Sequence, residues 1–139
     1  MRLFLIAAGV AALAFGAAQA QENARTGDAA PELAEGKAVY ARWCAPCHAN
    51  VPSLAGTRSL QAKYEGRLPA ALEDRTDLTP ALLGYFVRNG VAWMPPFRPT
   101  EISNAQLAQL SAYLTAPLAD RGAHAPLLAQ EMAHARTGQ

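Results

Sequence analysis

Apolar side chains recur every three or four residues in four segments of the chain, the spacing that places them on one face of an α-helix. These segments are 32–43, 59–66, 78–90 and 103–116. Thr79 and Ser103 stand where a helix N-cap is expected, and Asn89-Gly90 offers a left-handed stop. No segment sustains the period-two alternation of a half-buried strand. The pattern predicts a small all-α fold of short helices and long loops.

The segments between the predicted helices are long for a small protein. Residues 91–100 contain three prolines and cannot form a regular helix, and residues 51–57 are expected to be loop. Residues 21–31 are polar and punctuated by glycine and proline, which predicts a disordered lead-in. Because so small a domain has a marginal core, we expect something beyond side-chain packing to organise it from the centre.

The chain begins with the features of a secretory signal peptide. Met1-Arg2 provides a basic start, residues 3–18 are apolar, and Ala18-Gln19-Ala20 resembles a cleavage site. An uncleaved membrane anchor is the alternative, but the apolar run is shorter than the ~20 residues that span a bilayer. We expect cleavage after Ala20, a mature chain of residues 21–139 without a membrane span, and a periplasmic location in a Gram-negative bacterium.

The balance of charge excludes one class of partner. The full chain has 12 basic and 11 acidic side chains, and loss of Arg2 with the signal peptide would leave 11 of each. Binding of nucleic acid requires a concentrated basic surface. We therefore expect no nucleic-acid partner.

Both cysteines of the chain lie in the pentapeptide Cys44-Ala45-Pro46-Cys47-His48. A disulfide across two residues would constrain the unfolded chain little and would give His48 no role. A zinc site usually takes four ligands, and the other histidines, His124 and His134, lie in a distant tail. A redox-active dithiol expects a βαβ setting, which the pattern does not predict. Cys-x-x-Cys-His is the attachment pattern of a c-type haem, so we expect one covalent haem c, with His48 placed to ligate its iron.

The second axial ligand has four candidates in the mature chain: Met94, Met132, His124 and His134. Met94 lies among apolar and aromatic residues, and the two prolines after it stiffen its loop. A methionine that fills a gap in the core is the alternative, and ligation by a tail histidine is a third. Because methionine–histidine ligation is a standard haem arrangement, we expect Met94 to be the ligand.

The order of helix, haem motif, proline-containing loop, methionine loop and C-terminal helix over 32–116 resembles a class I cytochrome c. Two stretches, GTRSLQAKYEGRLPAALEDRTDLTP (56–80) and VRNGVAWMPPFRPTEIS (87–103), are similar to the cytochrome subunit of 4-cresol dehydrogenase (p-cresol methylhydroxylase) and of eugenol hydroxylase. RTDLTP and MPPFRPTEIS carry this narrower resemblance.

The resemblance to class I cytochromes implies a role for each matching residue. Cys44 and Cys47 would form the thioethers. His48 and Met94 would ligate the iron, and the carbonyl oxygen of Pro52 would accept a hydrogen bond from the His48 ring. The resemblance also implies that the first helix crosses the C-terminal helix, with four residues at the crossing: Gly36, Tyr40, Leu110 and Tyr113.

With His48 and Met94 both bound to it, the iron would have no open position for substrate or oxygen, so we expect an electron carrier with no catalysis of its own. The narrower resemblance implies the electron donor. In that family an FAD-containing flavoprotein oxidises 4-alkylphenols and passes single electrons to the cytochrome. A downstream acceptor (another cytochrome, a cupredoxin or an oxidase) would then receive them. One alternative is a freestanding periplasmic cytochrome c that serves another dehydrogenase or a terminal oxidase. A haem peroxidase or ligand sensor is a further alternative, and it would need a labile sixth position on the iron.

Several other side chains are candidates for contacts with the haem or with a partner. Basic and aromatic residues in the middle of the chain could pair with the haem propionates, the alternative being a solvated face: Arg58, Lys63, Tyr64, Arg67, Arg75, Trp93 and Arg98. Trp93, Pro96 and Phe97 are candidate partner contacts, the alternative being packing in the haem pocket. The tail, 117–139, either frays or forms a short docking helix lined by Leu127, Leu128 and Met132.

Overall fold

The computed structural model describes residues 27–127, and every regular element within this range is helical. Short 3₁₀ turns at Pro31–Leu33 and Leu72–Asp74 accompany five α-helices. These are α1 (Ala34–Trp43), α2 (Ala45–His48), α3 (Ala55–Tyr64), α4 (Pro80–Asn89) and α5 (Asn104–Thr115). The only β-type pairing in the described range is an isolated bridge between Val91 and Met94. The predicted all-α fold is confirmed.

All four predicted helices are present, and α3 differs from expectation at its start. It begins at Ala55, inside the stretch 51–57 that was expected to be loop. Leu54, in extended conformation, is its N-cap and makes no side-chain cap bond, so the sequence carried no start signal there. The single turn α2 was not predicted, because four residues are too few to show a helical period.

Side-chain caps define the starts of α4 and α5. The Thr79 hydroxyl accepts a hydrogen bond from the Leu82 backbone N–H, and Pro80 occupies the first turn. At α5, Ser103 and Gln106 exchange both bonds of a capping box. These contacts satisfy backbone N–H groups that have no partner inside a helix. The predicted starts of both helices are confirmed.

The core forms where α1 crosses α5. A Cβ atom added to Gly36 would lie 2.7 Å from the Cβ of Tyr113 and 2.8 Å from the carbonyl carbon of Gln109, so the two backbones approach each other closely. The rings of Tyr40 and Tyr113, both fully buried, pack 6.1 Å apart between their centroids. The crossing implied by the resemblance is confirmed, with Leu110 also buried beside it.

Chain segments on either side of the expected domain 32–116 pack together. The Ala30 N–H donates to the Asp120 carbonyl (2.9 Å), and the Ala123 N–H donates to the Gly27 carbonyl (2.7 Å). Residues 27–30 therefore differ from the expected disordered lead-in, and residues 117–127 differ from the expected frayed or helical tail. Each segment supplies backbone partners to the other, a pairing that neither shows in its own sequence.

Some expectations fall outside the described residues. The signal peptide, 1–20, and most of the lead-in lie before residue 27, and the tail beyond 127 includes His134 and Met132. Between residues 27 and 127, none of the helices has the length and apolar character needed to cross a bilayer.

Candidate haem site

The junction of α1 and α2 brings the residues of the Cys-x-x-Cys-His motif together. The N–H of Cys44 closes the last turn of α1 on the Tyr40 carbonyl (2.9 Å), and the N–H groups of Cys47 and His48 donate back to the Cys44 carbonyl (3.0 and 2.9 Å). Residues three and four apart lie on one face of a helical turn. The single turn α2 therefore presents the two thiols and the imidazole on the same side.

The two thiols are free, and their surroundings do not favour a reactive dithiol. Cys44 is half-buried and Cys47 is exposed. Burial raises the pKa of Cys44 to about 12, and the nearby charges of Glu73 and Cys47 add to this effect. A redox-active dithiol needs a thiolate with a lowered pKa. The raised pKa of Cys44 therefore disfavours a redox-active dithiol at this motif.

The imidazole of His48 is held against the first turn of α3. A Cβ atom added to Gly56 would lie 2.6 Å from His48 Cε1 and 2.7 Å from Nδ1, so only glycine allows this ring position. The backbone carbonyl of His48 accepts a hydrogen bond from the Tyr40 hydroxyl (2.9 Å). The Thr57 hydroxyl donates to the carbonyl of Ala49 (2.7 Å), which ties α3 to the end of the motif.

The ring of His48 has the properties of a metal ligand. Burial lowers its pKa and favours the neutral form that binds metals. Nδ1 is buried and has no hydrogen-bond partner within residues 27–127. Because Nδ1 faces Gly56, Nε2 is the nitrogen left for coordination. The expected hydrogen bond from the ring to the Pro52 carbonyl is not formed in this structure, and that role of Pro52 stays a prediction.

Met94 lies in a tight turn that follows α4. The N–H and carbonyl groups of Val91 and Met94 pair with each other (3.0 and 2.8 Å) around Ala92, whose φ is +48°. A Cβ atom on Gly90 would lie 2.9 Å from the Pro96 nitrogen, so the chain folds closely back on itself. The Met94 backbone is thus fixed by two hydrogen bonds and by Pro95 after it.

An aromatic contact connects the methionine turn to the cysteine motif. Trp43, the residue before Cys44, packs edge-to-face on Phe97 with ring centroids 5.8 Å apart. The N–H of Phe97 also donates to the Val87 carbonyl of α4 (2.7 Å). The structure therefore brings together the two parts of the chain that carry the predicted axial ligands.

Three of the seven candidate propionate contacts lie around a fourth, Tyr64. The Arg75 guanidinium lies 4.8 Å from the ring centroid of Tyr64, and the Lys63 ammonium lies 5.4 Å from the same centroid. Arg75 is 4% exposed and donates from Nε to Asp77 (2.9 Å). That bond raises the pKa of Arg75, while Arg75 lowers the pKa of Asp77. Arg67 donates to the Tyr64 backbone carbonyl (3.1 Å).

The other candidates are dispersed over the surface. Arg58 is exposed, and the exposed Arg98 pairs with Glu101 (3.4 Å). Trp93 is 98% exposed. Of the three predicted partner contacts, Trp93 and Pro96 are exposed, whereas Phe97 packs against Trp43.

The structure contains a buried carboxyl group that the sequence reasoning missed. Glu73 is 3% exposed, and its Oε1 accepts hydrogen bonds from the Tyr113 hydroxyl (2.5 Å) and the Ala125 N–H (2.8 Å). Its Oε2 is buried without a hydrogen-bond partner in the described part of the chain. Arg121 donates to the backbone carbonyls of Glu73 and Arg75. The available sequence signal for this burial was an acidic residue that directly follows the apolar stretch Ala70-Ala71-Leu72.

A helical fold with a Cys-x-x-Cys-His turn, joined by the Trp43–Phe97 contact to the loop after α4, fits a small c-type cytochrome. The family model described as cytochrome C oxidase, cbb3-type, subunit III matches residues 31–114. The chain belongs to this family. No curated protein and no solved structure matches the chain. Family membership makes the chain a class I c-type cytochrome that carries covalently bound haem c and transfers electrons.

Proposed function

We propose that the chain is a periplasmic electron carrier that accepts single electrons from an FAD-containing 4-alkylphenol dehydrogenase. Similarity of residues 56–80 and 87–103 to the cytochrome subunits of such enzymes supports the identity of the donor. The single structural observation in its favour is the turn beside Met94. There Trp93 is 98% exposed and Val91 is 52% exposed. Large apolar side chains held in water beside a redox site suit contact with another protein.

Four residues would hold the haem. Cys44 and Cys47 would carry it through thioethers, and His48 and Met94 would supply the axial ligands. The unpartnered, neutral imidazole of His48 and the position of its ring against Gly56 support this assignment. Haem supplies a one-electron couple when bound, and a methionine ligand raises its reduction potential. A higher potential favours acceptance of electrons from a reduced flavin.

The methionine turn would close the sixth position of the iron. Because Met94 is fixed by two backbone hydrogen bonds to Val91, its thioether would be held in place against oxygen or peroxide. This property supports a carrier over a peroxidase or a ligand sensor. Arg75, beside Tyr64, is the basic side chain we assign to a propionate, because burial strengthens a charge-assisted hydrogen bond.

Electron transfer from a flavoprotein can be measured directly. The holoprotein is mixed with an FAD-containing 4-alkylphenol dehydrogenase and 4-cresol, and haem reduction is followed by stopped-flow absorbance. We expect rapid reduction with a saturable dependence on flavoprotein concentration. Trp93→Ala should lower the second-order rate at least tenfold, since a central aromatic contact contributes at least ~1.4 kcal/mol to binding, and should leave the reduction potential unchanged.

Tyr85→Ala is the matched control, because Tyr85 is 61% exposed on α4, outside the methionine turn. It should reduce at the wild-type rate. Equal slowing by both substitutions would remove the docking role of Trp93. A reduction rate that rises linearly with flavoprotein concentration without saturating, and that does not depend on Trp93, would point to another electron donor. That result would favour a freestanding periplasmic cytochrome c that serves another dehydrogenase or a terminal oxidase.

The export part of the proposal has a separate test. Mass spectrometry of protein from the periplasmic fraction should give a mature N-terminus at Gln21. The downstream acceptor, whether another cytochrome, a cupredoxin or an oxidase, can be identified by oxidation of the reduced protein with each class in turn. An N-terminus at Met1 in the membrane fraction would contradict cleavage.

A further inference from the structure

Glu73 occupies an unusual electrostatic position. Among residues 27–127 it is the only acidic side chain that is buried. Oε1 has two hydrogen-bond donors, while Oε2 is buried without one. An ionised carboxylate with an unpaired oxygen in a protein interior is costly, and protonation removes that cost. Burial of this carboxyl group therefore raises its pKa, while the two hydrogen bonds to Oε1 oppose that shift.

Contacts connect Glu73 to the part of the chain that attaches the haem. Tyr113 donates to Glu73 (2.5 Å), the ring of Tyr113 packs against Tyr40 (6.1 Å between centroids), and Tyr40 donates to the His48 carbonyl (2.9 Å). The charge of Glu73 also raises the pKa of Cys44. The charge of Glu73 therefore changes the electrostatic potential at the haem-attachment motif. By the same interaction, a change of charge at the motif changes the pKa of Glu73.

A cleft at the protein surface extends to Glu73. This cleft of about 390 Å³ is lined by Glu73, Tyr113, Arg121 and His124. His124 lies at its exposed side and contacts Asp74 (2.8 Å between Nε2 and Oδ1). A titratable side chain at the surface of a cleft provides a route for proton exchange with the group behind it.

Charged and titratable groups approach Glu73 from every neighbouring element. Burial raises the pKa of Glu73, and hydrogen bonds from Tyr113 and Ala125 together with the charges of His124 and Lys37 lower it. The groups that interact with its charge are Lys37 and Tyr40 from α1, Cys44 from the motif, Tyr113 from α5 and His124 from the C-terminal segment. Arg121 donates to the backbone carbonyl of Glu73, and the neighbouring Asp74 pairs with His124.

We propose that Glu73 is a redox-linked proton acceptor: its carboxylate takes one proton from solvent through this cleft when the protein gains one electron, and returns that proton to solvent when the electron leaves. The electron comes from the one-electron donor of the carrier reaction, and only the O–H bond of Glu73 forms and breaks. The proposal depends on the haem-carrying electron-transfer role of the chain and not on which flavoprotein or other enzyme is the donor.

The size of the effect follows from Coulomb's law. Oxidation adds one positive charge at the haem, which stabilises the ionised carboxylate. If the added charge changes the ionisation constant of Glu73 about tenfold, the interval between its two pKa values is about one pH unit wide. For a one-electron couple a tenfold change corresponds to ~59 mV. We therefore expect the reduction potential to fall by about 59 mV as pH rises through the interval between the two pKa values of Glu73.

The experiment is a spectroelectrochemical titration of the holoprotein across pH, for wild type and for Glu73→Gln. Glutamine retains the acceptor for Tyr113 and Ala125 but cannot ionise. We expect Glu73→Gln to remove the pH-dependent fall of the reduction potential, which is the pH-dependent segment of the titration curve. Glu35→Gln, which changes an exposed carboxylate of α1, should retain that segment. If Glu73→Gln and wild type give the same profile, the proposal is wrong. It is also wrong if His124→Gln abolishes the segment, because the histidine would then be the group that titrates.

Two further measurements decide the matter even if Glu73→Gln does not fold. Redox-difference infrared spectra of the wild type should show a protonated carboxyl band that appears on reduction and shifts in D₂O. Tyr113→Phe removes a hydrogen bond that lowers the pKa of Glu73, so it should move the pH-dependent segment to higher pH. The proposal would be overturned if the carboxyl band is absent at every pH at which the reduction potential depends on pH. It would also be overturned if Tyr113→Phe leaves that pH range unchanged.

Discussion

Replacing Gly36 by alanine tests the helix crossing that supports the haem motif. The new Cβ would lie 2.7 Å from the Cβ of Tyr113 and 2.8 Å from the carbonyl carbon of Gln109, whereas carbon atoms pack at ~3.5–4.0 Å. Neither neighbour can leave by changing a side-chain rotamer, because one atom is backbone and the other is a Cβ. The axes of α1 and α5 must therefore separate by roughly 1 Å, which loosens the packing of Tyr40 on Tyr113.

The expected net destabilisation is about 2 kcal/mol. Overpacking of a core costs ~1–3 kcal/mol, and the contact with backbone places this case at the upper end. The higher helix propensity of alanine relative to glycine offsets about 1 kcal/mol of this destabilisation. Guanidinium denaturation of the holoprotein, followed by far-UV circular dichroism, measures the difference in free energy of unfolding. For a domain of this size the melting temperature should fall by about 10 °C.

Gly84→Ala is the matched control for Gly36→Ala. Gly84 lies inside α4, and within the described residues no atom comes within 4 Å of an added Cβ. Only the propensity gain applies there, so the variant should be more stable than wild type by up to about 1 kcal/mol. If Gly36→Ala is as stable as Gly84→Ala, the two backbones do not approach as closely as we describe, and the reasoning fails.

Three other substitutions give distinct outcomes. Met94→Ala should open the iron to carbon monoxide and remove the methionine-to-iron charge-transfer band, and an unchanged spectrum would exclude Met94 as a ligand. Met94→His should lower the reduction potential within the ~0.8 V range that axial ligands span. Gly56→Ala should displace the His48 ring, seen as an altered electron paramagnetic resonance spectrum of the ferric protein, and a wild-type spectrum would contradict the packing. Asp77→Asn should lose stability in full above the ordinary Asp pKa of ~3.9 and progressively less as pH falls from there through the lowered pKa of Asp77 in the folded protein, because Arg75 stabilises the ionised carboxylate. A loss of urea stability that does not shrink as the pH is lowered through this range would count against it.

The sequence alone determined the features whose causes lie within a few residues. The start of α4 at Thr79-Pro80 and the capping box of Ser103 and Gln106 were predicted because a cap is a contact between near neighbours. The haem-attachment motif was recognisable for the same reason, since a single helical turn brings Cys44, Cys47 and His48 to one face. The all-α class followed from periodicity along the whole chain.

Only the tertiary structure decided the contacts between residues that are distant in sequence. Glu73 meets Tyr113 and Ala125, which lie 40 and 52 positions away, and no local pattern reports that pairing. The packing of His48 on Gly56 depended on a helix start at Ala55 that carries no capping signal. Hydrophobic burial and hydrogen-bond satisfaction are properties of the assembled core, so whether a carboxyl group is buried and lacks a partner is decided only when all the surrounding elements have packed.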